Sequence, residues 1–191
     1  MTICFATNNL NKLREIRQLL GNHIEIKSLE DIGCSEELPE TSDTLEGNSL
    51  EKAQYVYDHY GVDCFADDTG LEVAALDGAP GVYTARYAGE ERSNTANMEL
   101  LLKNLKDVTH RFAQFKTVIT LIQSGKSVQF LGVAGGEIAH KMYGEKGFGY
   151  DPVFKPTGYQ QTFAEMSAEE KNAISHRGQA IAKLVDYLKS H

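Results

Sequence analysis

The hydrophobic period of this chain switches repeatedly between that of a strand and that of a helix, and this limits the folds open to it. Ile3 to Ala6 is a short apolar run, followed by Leu13, Ile16, Leu19 and Leu20 at helical spacing, with Gly21 as the stop. Ile24 to Leu29 reads as a second strand, and the acidic stretch 33–44 as a loop. A second helix is expected from Asn48 to Tyr60, closed by Gly61, then a strand from Val62 to Ala66 that ends at Asp67-Asp68-Thr69-Gly70. Leu71 to Leu76 continues as a short strand, and Gly78 to Gly81 is a turn. A third helix is expected from Asn94 to Leu105. Phe112 to Ile122 and Val128 to Ala134 flank Ser124-Gly125-Lys126 as a hairpin. Ser167 to Lys189 is mostly helical, opened by the capping-box pattern Ser167-x-x-Glu170. Alternation at both ends with a hairpin between them predicts an α/β fold, a three-layer α/β/α arrangement around a mixed sheet. No linker, repeat or low-complexity segment divides the 191 residues, so one domain is expected.

Charge and cysteine content exclude several classes of function. The net charge is −8, the wrong sign for a duplex-binding protein, so no nucleic-acid partner is expected. No run approaches the roughly 20 apolar residues of a membrane span. The first residues lack the layout of a signal peptide, so the mature protein is expected to start there. Cys4, Cys34 and Cys64 cannot all pair within one chain and form no C-x-x-C, which suits a reducing compartment. The six histidines are scattered without the spacing of zinc ligands.

Two strand ends look alike, Cys4-Phe5-Ala6-Thr7-Asn8 and Cys64-Phe65-Ala66-Asp67-Asp68. In open α/β sheets ligands gather beyond the carboxyl ends of strands. The first end offers an asparagine-rich turn and Lys12 at a helix N-terminus, the parts of a phosphate site: amides, a helix dipole and a mobile cation. A solvated turn with a solvated lysine reads equally well. The second end offers adjacent carboxylates, which suit Mg²⁺ or simply make an Asp-Gly turn. Together they make one coherent mechanism, a metal on phosphates and a carboxylate beside an attacking water. Gly125-Lys126-Ser127 is half a P-loop with Thr120 where the first glycine should be. Gly147-Phe148-Gly149-Tyr150-Asp151-Pro152 could stack on a base or merely pack beneath its loop. Lys171 and Arg177 would point about 120° apart on one helix at roughly 100° per residue. Either they do separate jobs, or the helix breaks near Ser175 and Gly178.

Five motifs resemble those of the inosine triphosphate pyrophosphatases, the Ham1-like enzymes, in the family's order and over the whole length. They are Ala6-Thr7-Asn8-Asn9-Leu10-Asn11-Lys12, Ala66-Asp67-Asp68-Thr69-Gly70-Leu71, Gly78 to Tyr87, Gly147 to Pro152, and Glu170 to Arg177. Two departures stand out. Asn8 and Asn11 occupy a turn in which the family commonly has a glycine, and Gly47-Asn48 replaces the family's Glu-Asn. The resemblance implies an elongated central sheet of the ITPase type, with residues 1–191 as one domain that can form two lobes around a central cleft. It implies hydrolysis of ITP, dITP and XTP to the monophosphate and pyrophosphate, with Mg²⁺, by a cytoplasmic homodimer. By the same resemblance Thr7, Asn8, Asn9, Leu10, Asn11 and Lys12 bind substrate, chiefly its phosphates. Asp68 is the proton acceptor and a metal ligand, Glu40 a second metal ligand, and Thr69 a substrate contact. Phe148, Gly149, Tyr150, Asp151, Lys171, His176 and Arg177 form the base and nucleotide pocket. A phosphatase with an aspartyl nucleophile would want two aspartates one residue apart, which Asp67-Asp68 is not. A non-catalytic purine-binding module would need the anion turn but neither metal nor base.

Overall fold

Strand β1 (Thr2–Phe5) alternates its side chains between two apolar environments, and this alternation builds the first layer of the fold. The computed structural model describes residues 2–20 and 24–190, so Gly21, expected to close the first helix, lies outside the described residues. Ile3 and Phe5 face one core with Leu13, Ile16 and Leu20 of helix α1 (Leu10–Leu20) and Ala180, Ile181, Leu184 and Leu188 of helix α5 (His176–Ser190). Cys4 and Ala6 face a second core with Ala53 and Val56 of helix α2 (Leu45–Tyr60). Helices therefore cover both faces of this part of the sheet, as the alternation predicts.

The twin sequences have a physical explanation. Strand β3 (Cys64–Val73) lies parallel to β1 with Cys4 opposite Cys64 and Phe5 opposite Phe65. The phenylalanine rings stack at 4.7 Å between centroids. Two strands of the same sequence in register present matching volumes to each core. Strand β2 (Glu25–Lys27) pairs parallel on the other side of β1. All three cysteines are buried and unpaired, and burial pushes the Cys4 and Cys64 thiols up to about 12.

The rest of the sheet comprises β4 (Pro80–Gly81), β5 (Phe112–Gln123), β6 (Lys126–Ile138) and β7 (Phe154–Pro156). The strand order is β2-β1-β3-β5-β6-β7, with β4 paired to β3. Parallel and antiparallel pairs coexist, so the sheet is mixed. The β5–β6 hairpin turns on Ser124 and Gly125, both at positive φ (49° and 76°), the conformation of a tight type I′ hairpin. Lys126 is exposed there, so the half P-loop is a hairpin corner.

Several boundaries differ from the sequence reading, among them β6, which spans Lys126–Ile138 rather than 128–134, and the first turn of α2. Helix α2 starts at Leu45, because the Thr44 side chain accepts from the Gly47 amide and caps it. Over 167–189 the alternative of a broken helix holds, and the stretch forms two helices. Helix α4 (Ala168–Ile174), opened by the Ser167–Glu170 capping box, stops at Ser175, whose backbone is extended, and α5 begins at His176. Strand β3 does not end at Asp67 but runs on to Val73. Asp-Asp-Thr-Gly reads as a turn, but partners distant in sequence accept the charges and let the strand continue.

The chain forms two compact units, each assembled from separate stretches. Unit 1 is residues 1–68, 117–132 and 177–191, and unit 2 is residues 69–116 and 133–176. Unit 2 has its own core, in which Met98, Leu101 and Leu105, from helix α3 (Asn94–Asn104) and its C-terminal cap, meet Leu71, Val73, Phe115, Phe154 and Phe163. Among the described residues no helix is long and apolar enough to cross a membrane.

Candidate active site

In unit 1 the adjacent carboxylates of β3 have separate environments. Asp67 is 1% exposed; its Oδ1 accepts from Lys12 Nζ at 3.0 Å, and Arg177 Nε lies 3.5 Å from Oδ2. Arg177 is 2% exposed and its Nη1 also pairs with Glu15. Burial alone would push Asp67 up, but Lys12, Arg177 and Lys52 outweigh it and hold the carboxyl well below its usual range. Asp68 goes the other way. Burial pushes it up, Lys52 and Lys12 pull it back, and Glu40 and Asp67 beside it leave it raised. Neighbouring carboxyl groups thus sit on opposite sides of their ordinary value.

Lys52 is the cation that sequence reasoning missed. Its ammonium lies 2.5 Å from Glu40 Oε1 and 3.6 Å from Asp68 Oδ1. Burial pulls it down, but Asp68, Glu40 and Asp67 hold it above its usual value. A signal was available. Leu45, Asn48, Ser49, Lys52, Ala53 and Val56 form the buried stripe of α2, and a lysine there stands where an apolar residue belongs. Arg177 repeats the pattern ahead of Ala180, Ile181 and Leu184 on α5.

The turn before α1 is tighter than its sequence suggests. Asn9 Oδ1 accepts from the Asn11 and Lys12 amides at 3.0 and 3.2 Å, and Thr7 Oγ1 accepts from the Asn9 amide at 3.1 Å. Asn8, Asn9, Leu10 and Asn11 are exposed, and Leu10 is 74% exposed. Lys12 is not a mobile cation. It is tied to Asp67, and burial pulls its ammonium down further than Asp67 restores.

In unit 2 the glycine-rich loop closes on itself. Asp151 Oδ2 accepts from the Phe148 amide at 2.9 Å and from Lys171 Nζ at 2.7 Å. A Cβ at Gly147 would fall on that carboxylate, and φ there is +71°. The Lys171 ammonium sits 4.9 Å from the Phe148 ring centroid. A cation held by one carboxylate and facing the ring fixes that ring's orientation. The His176 ring stacks on Phe115 at 4.5 Å. Tyr150 is 3% exposed, and Thr69 is half-buried on β3 directly after Asp68.

The structure therefore divides the expected residues. Thr7 to Lys12, Glu40, Asp68 and Arg177 belong to unit 1; Thr69, Phe148 to Asp151, Lys171 and His176 belong to unit 2. The helix break at Ser175 lets Lys171 and Arg177 work apart, Lys171 with Asp151 and Arg177 with Asp67. For a divalent ion the oxygen donors at hand are Glu40 and Asp68, both beside Lys52. No group of three or more His, Cys, Asp or Glu side chains with metal-site geometry occurs among the described residues. Two carboxylates fit Mg²⁺, which keeps several waters and also binds substrate phosphates.

The sequence profile of the Ham1 family matches residues 3–187. The chain belongs to the Ham1 family. It is 55% identical over 190 residues to the dITP/XTP pyrophosphatase of Flavobacterium psychrophilum, covering 100% of both chains. To that of Porphyromonas gingivalis it is 54% identical, covering 97% of this chain and 96% of the other. Among solved structures, the Ham1 protein of Staphylococcus aureus superposes with a TM-score of 0.90 at 38% identity, over 100% of this chain and 99% of the other. The nucleoside-triphosphatase / dITP/XTP pyrophosphatase of Mycobacterium abscessus gives 0.78 at 43% identity, over 96% and 98%. The α/β fold of Ham1 proteins is thus this chain's fold.

Proposed function

We propose that this protein is a nucleoside triphosphate pyrophosphatase that hydrolyses ITP, dITP and XTP to the monophosphate and pyrophosphate. The observation that carries the chemistry is the split between Asp67 and Asp68. Two carboxyl groups pushed apart in acidity by their surroundings are how a fold assigns distinct roles to like groups. Asp68, beside Lys52 and less tightly paired than Asp67, accepts the proton of the attacking water. Asp67, held ionised, anchors Lys12 and Arg177. Lys12 and Lys52 supply positive charge to the triphosphate. Mg²⁺ held by Asp68 and Glu40 would neutralise phosphate charge and support the leaving pyrophosphate.

The family resemblance gives the base to the glycine-rich loop, Lys171 and His176. Phe148 offers a ring, while Lys171 and His176 offer N–H donors. Hypoxanthine and xanthine present an acceptor at O6 and a donor at N1, and adenine reverses both. Meeting the adenine amino group donor to donor leaves buried groups unpaired, which can cost roughly 10⁴-fold in discrimination. The family resemblance adds a cytoplasmic homodimer as the working form.

A nucleoside triphosphate panel with Mg²⁺, its products read by phosphorus NMR, tests this reading. ITP and XTP should far exceed ATP, with pyrophosphate as product. Equal rates on ATP and ITP, or release of orthophosphate with a nucleoside diphosphate, would defeat it.

A further inference from the structure

The segment Gly81-Val82-Tyr83-Thr84-Ala85-Arg86-Tyr87 takes no part in the chemistry above, yet it is bound tightly to the loop that carries the base platform. The Tyr150 hydroxyl donates to the Thr84 carbonyl at 2.7 Å, in the interior. That segment is itself braced. Thr84 Oγ1 accepts from the Leu71 amide at 2.8 Å and donates to the Gly81 carbonyl at 2.6 Å. Asn97, 1% exposed on α3, donates to the Ala85 carbonyl at 3.0 Å and accepts from the Ala88 amide at 2.7 Å. Its Nδ2 also lies 3.5 Å from the Thr84 carbonyl. All these residues belong to unit 2.

We propose that Tyr150 is a positioning residue for base recognition, acting through the Thr84–Asn97 brace rather than by touching the nucleotide. This rests on the pyrophosphatase reading. Its hydroxyl faces a protein carbonyl in the interior and is committed there. The Tyr150 carbonyl accepts from the Val153 and Phe154 amides at 3.0 and 3.1 Å, so the residue is held at both its ends. Two residues back is Phe148 and one residue on is Asp151, which fixes Lys171 over the Phe148 ring. Leu71, the other end of the brace, lies two residues beyond Thr69 on β3. A stacking ring that is already ordered saves the cost of ordering it when the base arrives. Removing the hydroxyl should therefore weaken the hold on the base and leave the hold on phosphate alone.

Calorimetric titration of IMP and of pyrophosphate, separately and with Mg²⁺ present, reads the two halves of the product without turnover. Tyr150→Phe should weaken IMP roughly tenfold, the scale of one buried hydrogen bond, and leave pyrophosphate unchanged. Asn97→Ala, which loosens the brace from its other side, should move in the same direction. In turnover of ITP, Tyr150→Phe should raise KM and leave kcat nearly alone. Tyr159→Phe, at an exposed position, is the control for loss of a hydroxyl as such. A purely structural tyrosine would lower Tm and leave the ratio of IMP to pyrophosphate affinity intact. That result, or equal weakening of both ligands, overturns the inference. A wild-type protein that binds IMP but does not make it from ITP refutes the pyrophosphatase reading and leaves the ligand comparison to be decided on its own.

Discussion

Asp67 and Asp68 are chemically identical and covalently adjacent, and their surroundings push one carboxyl below its ordinary value and the other above it, which in the proposed function divides them into a structural charge and a base. Isosteric amides should separate these roles. Asp68→Asn should keep the fold and lower kcat on the order of 10²-fold or more, because an amide is a poor base and a weak Mg²⁺ ligand. Asp67→Asn should act first on stability, since removing one partner of a buried ion pair typically costs about 3–5 kcal/mol. Near-normal turnover in Asp68→Asn, or an unchanged Tm in Asp67→Asn, would contradict the division. The sign of the pH dependence follows from the lowered pKa of Asp67. Its stabilisation is present above the carboxyl's unfolded value, about 4, and is lost as pH falls below that toward the folded one. Wild-type Tm should therefore decline on acidification more steeply than that of Asp67→Asn. Lys12→Ala should raise KM and also lower Tm, since Asp67 loses a partner. Lys126→Ala, at the exposed hairpin corner, should change neither.

At the scale of elements, local pattern gave the helices and strands their identity, and non-local charge decided how far β3 runs. The 3.6-residue stripes of α1, α2 and α3 and the period-2 alternation of β1 are written in adjacent residues. The continuation of β3 through Asp67 and Asp68 is not, because Lys12 and Arg177, which make it tolerable, lie 55 and 110 positions away. Lys52 was legible as a cation on an apolar stripe; its partner Glu40, in the loop before α2, was legible only through family resemblance. The loop at 147–151 shows the opposite balance, since its glycines announce a turn and the carboxylate three residues after Phe148 closes it. Gly147→Ala should thus do more than strain a positive φ. It should displace Asp151, release Lys171 and raise KM for ITP, while kcat for turnover at saturating ITP falls little. If KM stays at the wild-type value, the closed loop does not shape the base pocket. In β1 and β3 the buried thiols of Cys4 and Cys64, pushed up to about 12, should resist alkylation. At pH 8 that leaves about 10⁻⁴ as reactive thiolate in the folded protein, so mass spectrometry should find Cys4 and Cys64 modified only after denaturation.

At the scale of the molecule, neither unit is a continuous stretch of chain. Unit 1 takes its core from β1 and α1 near the beginning and from α5 at the end. Deleting residues 177–191 should strip Ala180, Ile181, Leu184 and Leu188 from that core and Arg177 from Asp67. Hydrogen exchange should then show β1 and α1 unprotected while α3, whose core lies wholly in unit 2, keeps its protection. Equal protection of both in the shortened chain would show that α5 is dispensable.

The same discontinuity orders events during synthesis. Every residue of unit 2 precedes Arg177 in the chain, whereas the inner face of β1, packed early by α1, waits for α5 before it is fully covered. Until α5 follows, a nascent chain would carry Ile3 and Phe5 only partly covered, by α1 and β3, and available to a chaperone or to another nascent chain. A message cut short before α5 would release a polypeptide with that face still partly open, a substrate for proteolysis rather than an enzyme lacking one helix.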